Sequence, residues 1–355
     1  MRGTTTEHDG PGPLERADEA LSRRGFTTRG LRLRAAGVLL AIAAGASGVL
    51  LYNLTNAFGP DTVCGGAATA DAVHDALGPG RISEDKSAGY SPTAVDPAGS
   101  CVATVRYGLF GTSERNISFK TVMDTGTGPR TPPTARLFSG GGTAGAVTGS
   151  GAWALLPEGC PTGLRTAVGL DGKKPDGDRS TELARLAVAY ADRAAKARNC
   201  GTGALTGPKE LSPAGAEQPV DPAKVCGLPG FAPVRNEAVR DELRQRSSGA
   251  LAPVWSCELG RTWGDDVLVS FGITTDPRVM GPQPPGRGGQ AYGRSTWFGR
   301  DTVVADCQGK PTYFHLESEL VASTGRDKVF QDDKALWTQF LAAGGAAIGC
   351  EPIVP

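Results

Sequence analysis

The chain has 355 residues, of which 39% are hydrophobic and 21% charged, so it contains enough apolar side chains for the cores of two ordinary domains. Its 37 basic residues balance 37 acidic ones, and without a strong positive field we expect no nucleic acid among its partners. The 51 glycines and 26 prolines exceed average usage and predict compact domains interrupted by long loops.

An apolar segment near the N-terminus predicts a membrane anchor. Ala35–Tyr52 is continuously small or apolar, and about 20 such residues cross the hydrocarbon core of a bilayer. Residues 35–54 are therefore predicted to form one transmembrane helix. Five arginines occur within residues 23–34, whereas no lysine or arginine follows the helix before Arg81. This asymmetry predicts a single-pass protein with a cytoplasmic basic tail, residues 1–34, and with the rest of the chain outside the cytoplasm.

Two other interpretations of this segment stay open. Thr55-Asn56-Ala57 has the small residues of a signal-peptide cleavage site. Ser22-Arg23-Arg24-Gly25-Phe26 is similar to a twin-arginine export signal. An uncleaved anchor is favoured because the apolar stretch is long and because eight residues separate Phe26 from it. All three interpretations place the cysteines outside the cytoplasm.

All eight cysteines follow the apolar segment and predict a framework of disulfide bonds in an oxidising compartment. The chain has no CxxC pair and no close Cys/His pair, which argues against a structural zinc site. A set of unrelated buried thiols is the remaining alternative. The cysteines are Cys64, Cys101, Cys160, Cys200, Cys226, Cys257, Cys307 and Cys350.

The region after the apolar segment repeats short sequences in the same order, which predicts an internal duplication. Each half has four cysteines, and a tryptophan precedes the third of them. The repeats predict two homologous domains, residues 62–201 and 225–355, joined by a Gly/Pro-rich linker at 202–224. The matches include Val63-Cys64-Gly65 with Val225-Cys226-Gly227, Ala72–Leu77 with Ala238–Leu243, Ser100-Cys101 with Ser256-Cys257, and Ile117-Ser118-Phe119 with Val269-Ser270-Phe271.

Sequential closure within each unit predicts the disulfide pairs, because it ties both the first and the last helix of the unit to a strand. Four cysteines allow three pairings, and the sequence leaves the other two open. The predicted bonds are Cys64–Cys101 and Cys160–Cys200 in the first unit, and Cys226–Cys257 and Cys307–Cys350 in the second.

The predicted fold class is α+β, since strands are mixed with terminal helices and no regular βαβ alternation occurs. Each unit should contain a short helix, two strands, a long loop and a closing helix. In the first unit these are helix Thr69–Leu77, strands Cys101–Tyr107 and Asn116–Met123, loop Gly126–Gly151, and helix Ser180–Asn199 with Ser180 as its N-cap. In the second unit they are helix Asn236–Arg246, strands Val254–Leu259 and Val267–Thr274, loop Asp276–Ser295, and a helix holding Leu336, Trp337, Phe340 and Leu341.

Two short motifs match known catalytic spacings, and both favour a loop. Gly140–Gly145 has the spacing of a dinucleotide fingerprint, but it lacks the strand before it and the helix after it that the fingerprint needs. Ser83–Lys86 has the Ser-x-x-Lys spacing of penicillin-binding enzymes, but no companion Lys-Thr-Gly motif occurs. We predict a flexible loop for the first and a charged loop for the second.

Histidine is scarce, and we predict no catalytic residue, no cofactor-binding residue and no metal ligand. His8 lies in the basic tail, His74 is expected at an exposed helix position, and alternation places His315 on a face of a strand. A structural or solvated role is favoured for both outer histidines, while a site assembled from dispersed residues stays open. The second long loop is expected to be solvated, with partner contacts as the alternative at Arg278, Arg287, Tyr292 and Arg294.

The Gly/Ala/Arg-rich composition, basic tail, single anchor and paired cysteines resemble membrane-anchored envelope proteins of actinobacteria with paired-cysteine outer domains. The resemblance implies an envelope location and transfers no functional residues. We expect a binding or scaffolding protein of the cell envelope, with an envelope protein or a glycan as partner and no cofactor. A hydrolase-like envelope enzyme with a dispersed site is one alternative, and a sensor that signals through the short tail is the other.

Overall fold

The computed structural model describes residues 12–24, 29–85, 100–108, 111–123, 131–172, 179–201, 203–236, 241–249, 251, 253–261, 267–279, 289–318, 329–330 and 332–353. The N-terminal part consists of helices α1, Pro13–Arg23, and α2, Arg29–Leu54. Within α2, Leu33–Tyr52 has a mean hydropathy of 2.0, and none of its apolar window is buried against the protein. Water solvates such a helix poorly, so its length and composition support a membrane-spanning segment. Its single passage and its orientation stay predictions.

The C-terminal end of α2 is attached to the first strand of the sheet that follows. The side-chain oxygen Oδ1 of Asn56 accepts a hydrogen bond from the backbone N–H of Ile82 at 3.0 Å. The guanidinium of Arg81 lies 3.9 Å from the centre of the Tyr52 ring and also donates to the Tyr52 hydroxyl. A cation over an aromatic face is an attractive arrangement. These contacts fix the helix end against the edge of the first sheet.

The first half consists of a short ribbon, two helices and a seven-stranded antiparallel sheet. The ribbon is β1 Thr62–Val63 with β2 Ala68–Thr69, and the helices are α3 Ala70–Leu77 and α4 Ser180–Ala197. The sheet strands are β3 Arg81–Asp85, β4 Ser100–Tyr107, β5 Ser113–Met123, β6 Arg136–Gly140, β7 Thr143–Thr148, β8 Gly151–Leu155 and β9 Leu164–Gly172. Their order across the sheet is β3-β4-β5-β9-β8-β7-β6.

The second half has an eight-stranded antiparallel sheet, a 3₁₀ turn at Val225–Gly227 and a closing helix, α5 Asp333–Ala347. The strands are β10 Gln218–Pro219, β11 Leu243–Ser247, β12 Val254–Arg261, β13 Val267–Thr274, β14 Gln290–Tyr292, β15 Ser295–Phe298, β16 Thr302–Cys307 and β17 Lys310–Ser318. Their order is β10-β11-β12-β13-β17-β16-β15-β14.

The two sheets share one strand order. Apart from β10, the strands β11 to β17 occupy the same places in the second sheet as β3 to β9 in the first. The first cysteine of each half also has the same left-handed backbone, with φ of 56° at Cys64 and 60° at Cys226. Non-glycine residues adopt this conformation uncommonly, so its occurrence at both positions adds a local likeness to the common topology.

The structure has four disulfide bonds, and their pairing agrees with the prediction. Their Cα–Cα distances, 4.7–5.8 Å, lie within the usual range. In each half one bond joins the first cysteine to a strand, β4 in the first half and β12 in the second, and the other joins the end of the closing helix to the third cysteine. The bonds are Cys64–Cys101, Cys160–Cys200, Cys226–Cys257 and Cys307–Cys350.

In each half the closing helix covers one face of the sheet with apolar side chains. Tyr190 of α4 meets Phe119 of β5 edge to face, with ring centres 5.5 Å apart. Phe340 of α5 packs between Phe271 and Phe314, with ring centres 5.0 and 5.9 Å away. These rings are buried, and such burial is the main stabilising term of a domain core. The opposite face of each sheet is here called its outer face.

The two halves contact each other through a third apolar cluster. Trp153 and Leu155 on the outer face of the first sheet belong to one buried group with Val279, and Val254 packs against it. The Arg278 side chain reaches across the same contact. It donates hydrogen bonds to the carbonyl oxygens of Gly142 at 2.9 Å and Leu156 at 3.4 Å. The backbone N–H of Gly163 donates to the Arg278 carbonyl in return, at 2.9 Å.

The predicted linker lies along both halves. The backbone N–H of Ser212 donates to the carbonyl oxygen of Leu137, and the Ser212 hydroxyl accepts from the Leu137 N–H. Gly215 donates to the Pro133 carbonyl, and β10 then joins the second sheet. The chain between the sheets is thus hydrogen-bonded to each of them, while the domain boundaries stay predictions.

Several local predictions are corrected by the structure. The predicted helix Asn236–Arg246 is wrong, because Leu243–Ser247 pairs with β12 as a strand; residues 237–240 lie outside the described part. The predicted loop Gly126–Gly151 is wrong over β6 and β7, which form a hairpin that turns at Gly141 and Gly142. Ser180 is the first residue of α4, and the N-cap is Arg179.

The two catalytic-looking motifs are strand segments. Gly140–Gly145 spans the β6–β7 hairpin turn, so the predicted flexible loop is wrong, and a strand, not a helix, follows the glycines. Ser83, Glu84 and Asp85 lie in β3 and pair with β4, so the predicted charged loop is also wrong there; Lys86 lies outside the described residues. The predicted loop Asp276–Ser295 contains a 3₁₀ turn at Pro277–Val279 and strand β14.

Candidate functional site

The strand register places polar side chains from four strands in one row on the outer face of the second sheet. Ser256 on β12 pairs with Gly272 on β13, Gly272 pairs with His315 on β17, and His315 pairs with Thr302 on β16. Residues two positions away along a strand lie on the same face. The neighbouring rows on this face are therefore Glu258, Ser270 and Glu317 on one side, and Val254, Thr274 and Tyr313 on the other.

These rows form the floor of a cavity of about 360 Å³, here called the outer cavity. Its volume lies at the lower end of the range for small-molecule sites. Thr131, Pro132 and Pro133 of the first half also line it. The outer cavity therefore lies where the two halves meet, and both contribute to its wall.

Gly272 is at the centre of the floor and leaves a gap between its neighbours. Strands lie about 4.8 Å apart, so Ser256 and His315, two strands apart, are separated by roughly 10 Å across Gly272. A Cβ added at Gly272 would lie 3.6 Å from the His315 Cβ, which is an ordinary contact. The packing of the sheet therefore does not require a glycine at this position, whereas an open cavity floor does.

Glu258 forms one side of an acidic end of the cavity. Burial raises the pKa of its carboxyl above the ordinary value, and the positive charge of Arg246 offsets part of that shift. The Arg246 guanidinium donates its hydrogen bond to Glu217 instead, at 2.6 Å. In the part of the chain that the structure describes, no donor is bonded to the Glu258 carboxylate. A half-buried carboxylate of this kind is characteristic of functional sites.

His315 and Glu317 form the other side of the acidic end. They are two residues apart on β17, and their side chains point to the same face, with Nε2 of His315 4.0 Å from Oε2 of Glu317. Both side chains are partly buried. The imidazole and the carboxylate therefore lie side by side at this end of the cavity.

Two buried hydroxyl groups of the same row lack partners. The side-chain oxygens of Ser256 and Thr302 are enclosed, and neither has a hydrogen-bond partner among the described residues. Ser256 is 9% exposed and Thr302 is 1% exposed. Buried polar groups in native proteins are nearly always paired, so orphan hydroxyls that line a cavity call for a partner inside it. A bound ligand would supply one.

The opposite end of the cavity is apolar. Val254 and Val279 line it and pack into the third cluster, which closes this end. Tyr313 lies in the same row as Val254, and burial raises the pKa of its phenol, so that it stays a neutral ring with a hydroxyl at physiological pH. The cavity thus changes from acidic to apolar along the strands.

The first sheet lacks this chemistry at the equivalent places. Ser100, Lys120, Ala167 and Trp153 form its row in the register that Ser256, Gly272, His315 and Thr302 occupy in the second sheet. The next row of the first sheet has Val102 and Gly169 where the second has Glu258 and Glu317. The two carboxylates and the histidine are thus peculiar to the second half.

Most of the residues that the sequence singled out have structural contacts. The eight cysteines form the disulfides, and His74 is half-buried, with its Nε2 2.9 Å from the Gly80 carbonyl oxygen. Arg278 binds Asp276 and the first half instead of facing solvent, and Arg294 pairs with Glu351. His8 and Arg287 lie outside the described residues, as does the side chain of Tyr292.

Sequence reasoning missed Glu258, Glu317, Ser256 and Thr302. The predicted strand Val254–Leu259 does alternate polar residues with Trp255 and Cys257, which was the available signal for a polar face. The pairing of β13 with β17 was not recognisable, because more than 40 residues separate Gly272 from His315. The row that brings His315 to the carboxylates exists only through that pairing.

Among the described residues, no three His, Cys, Asp or Glu side chains come together in a group that could hold a metal ion. Comparison of the chain with family models, with curated proteins and with solved structures gave no match.

Proposed function

We propose that the chain is a membrane-anchored, extracytoplasmic binding protein of the cell envelope, and that the outer cavity is its ligand site. The exposed apolar helix Leu33–Tyr52 supports the anchor. The arginines before the helix favour a cytoplasmic N-terminus, and the four disulfides favour an oxidising compartment for the rest. Together these features favour a sheet domain held outside the membrane by a single helix.

An internal duplication is part of the proposal. Matching short sequences, the common strand order and the equivalent disulfides support it. In this interpretation the first copy became a support that packs its outer face on the second copy. The second copy kept an open outer face, with Gly272 at a place where the first copy has Lys120.

The observation that carries the binding function is the pair of buried hydroxyls in the cavity floor, Ser256 and Thr302, which have no hydrogen-bond partner among the residues that the structure describes. An unsatisfied buried polar group destabilises the folded protein by about 1–3 kcal/mol. Two of them in one row therefore lower its stability considerably unless a ligand pairs with them. A scaffolding protein without a ligand would gain stability by replacing them with apolar residues.

The test is ligand-observed NMR of the full-length chain in neutral detergent, against a library of small polar metabolites. Wild type is compared with Gly272→Val, whose added methyl groups fill the centre of the cavity floor. Compounds that bind wild type and not Gly272→Val support the proposal. If every binder is retained by Gly272→Val, or if none binds wild type, the outer cavity is not a ligand site.

A hydrolase is the second candidate, and one relationship favours it. Glu258 and Glu317 are two strands apart on the same face, so their backbones lie roughly 10 Å apart across Ser270, and burial raises the Glu258 pKa. A protonated acid facing a carboxylate base at roughly 6.5–9.5 Å is the arrangement of inverting glycosidases.

Turnover distinguishes the two candidates. The full-length chain is incubated with cell-wall polysaccharide, and new reducing ends are counted for wild type, Glu258→Gln and Glu317→Gln. Release that both substitutions abolish supports hydrolysis. Binding without release leaves the binding function as the better account.

A further inference from the structure

The geometry points to the ligand class of the outer cavity: a small organic amine that carries an apolar tail, with its ammonium group at Glu258 and its tail at Val254, Val279 and Tyr313. This inference rests on the proposed binding function of the outer cavity and adds the chemistry of what it binds.

The negative charge of the cavity lining favours a cationic ligand. Two carboxylates line the acidic end, and no lysine or arginine is among the described residues of the lining. The guanidinium of Arg246, whose positive charge acts on Glu258, is bound by Glu217 at 2.6 Å, and Arg246 is not among the residues that line the cavity. An ammonium group at Glu258 would supply a donor to its carboxylate, which has none among the described residues, and charged hydrogen bonds of this kind are the strong ones.

The shape of the cavity selects an elongated molecule. Tyr313 and Glu317 are four residues apart on β17, which corresponds to about 13 Å along a strand. The Val254 end is closed by the third cluster, so the tail would be surrounded by apolar atoms. The Tyr313 ring gives that end an aromatic surface. A ligand with a charged head and an aromatic tail, joined by a short chain, matches both ends at once.

The middle of the cavity favours a ligand with a thin central part. The orphan hydroxyls of Ser256 and Thr302 lie in the row between the two ends, on either side of Gly272 and His315. Gly272 leaves room at the centre for an alkyl chain. The hydroxyls can accept from the ammonium N–H groups or donate to a polar atom in the chain.

The probe is 4-phenylbutylamine, and its relatives test each part of the inference. 4-Phenylbutanol keeps the tail and loses the charge, butylamine keeps the charge and loses the ring, and 4-phenylbutyrate reverses the charge. Saturation-transfer NMR and calorimetry use the full-length chain in zwitterionic nanodiscs, so that partition into lipid is measured on empty discs and subtracted.

We expect 4-phenylbutylamine to bind wild type, and we expect the alcohol, the acid and butylamine each to bind about tenfold more weakly or worse, as loss of a charged hydrogen bond or of a buried ring implies. Glu258→Gln and Gly272→Val should each abolish binding. Glu114→Gln, which neutralises an exposed glutamate of the first half, should leave binding unchanged.

The contrary outcomes are distinct. If the alcohol or the acid binds as tightly as the amine, or if Glu258→Gln binds the amine normally, the ligand class is wrong. If metabolites bind in the outer cavity but none of the amines does, the binding function stands and this inference fails. If no compound binds wild type while failing to bind Gly272→Val, the binding function and this inference both fail.

Discussion

Glu258 and Glu317 lie on opposite sides of Ser270, in one cross-strand row on the outer face of the second sheet. Each of them would be better solvated elsewhere, and burial already raises the pKa of Glu258. Negative charge is therefore concentrated at a place where it does not help the fold. Sites that bind or react commonly show this conflict between stability and function.

Glu258→Gln should stabilise the protein at neutral pH. The folded-state pKa of Glu258 lies above its ordinary value of 4.5, so the folded protein binds this proton more tightly than the unfolded chain. Stability contributed by the protonated form is present below pH 4.5 and is lost as pH rises through the folded pKa. Urea unfolding should thus show a more stable variant at pH 7, and the gain should disappear below pH 4.5.

The same measurement has a matched control. Arg246, His315 and Glu317 are the charged or titratable groups around Glu258, and all three stay unchanged in the variant. Glu114→Gln removes an exposed carboxylate and should change the free energy of unfolding little at either pH. A Glu258→Gln variant that is less stable at pH 7 would contradict the assignment.

Gly272→Ala and Gly145→Ala should change the stability of the protein in opposite directions. At Gly272 the added Cβ finds ordinary contacts, and alanine in a strand is about 0.5–1 kcal/mol better than glycine, so the variant should be as stable as wild type or more so. At Gly145 a Cβ would overlap the carbonyl oxygen of Trp153 in the neighbouring strand, so that variant should be clearly destabilised. Thermal unfolding of both variants decides this; a stable Gly145→Ala would show that β7 and β8 are not packed as described.

Arg278→Ala should weaken the contact between the halves. The substitution removes two hydrogen bonds to the first half and leaves the Asp276 carboxylate with the backbone N–H of residue 278 but without the guanidinium, with an expected loss of about 2–3 kcal/mol. Arg185→Ala removes an exposed ion pair and should cost less than about 1 kcal/mol.

Cleavage of the segment between the two sheets tests the contact between the halves directly. A protease site inserted between the exposed residues Lys209 and Glu210 should be cut without loss of fold. None of the four disulfides joins the halves, so only apolar packing and hydrogen bonds hold the fragments together. The wild-type fragments should co-elute in size-exclusion chromatography, and the Arg278→Ala fragments should separate. Wild-type fragments that separate at once would indicate two independent domains.

A reporter fused after Pro355 should be active only if it works outside the cytoplasm. The arginines of residues 23–34 are expected to hold the N-terminus inside, and a single helix then places the C-terminus outside. A second fusion, truncated after Arg24, is the control and should support only a cytoplasmic reporter. Activity of a strictly cytoplasmic reporter after Pro355 would overturn the orientation.

Features that depend on neighbouring residues or on the number of cysteines could be predicted from the sequence alone. The charge-free stretch Ala35–Tyr52 was sufficient to predict a long apolar helix, and the helix is found. Sequential pairing of eight cysteines predicted all four disulfides, because each bond closes a loop of 31–43 residues within one half. The alternation of apolar and polar residues predicted β4, β5, β12 and β13 correctly. A strand with one buried face has apolar residues at every second position, so its own sequence indicates the burial.

Contacts between distant parts of the chain determined the structure where the sequence signals were weak or non-local. Leu243–Ser247 has the composition of a helix end, yet it forms β11, because its backbone groups pair with β12 and its leucine enters the second core. The glycines at 140–142 form a hairpin turn between β6 and β7, two strands that the sequence did not predict. The outer cavity depends on the pairing of β13 with β17, which sets Gly272 beside His315. No periodicity in one strand can specify which partner it meets, so the row of acidic and hydroxyl side chains arises only when the sheet is assembled.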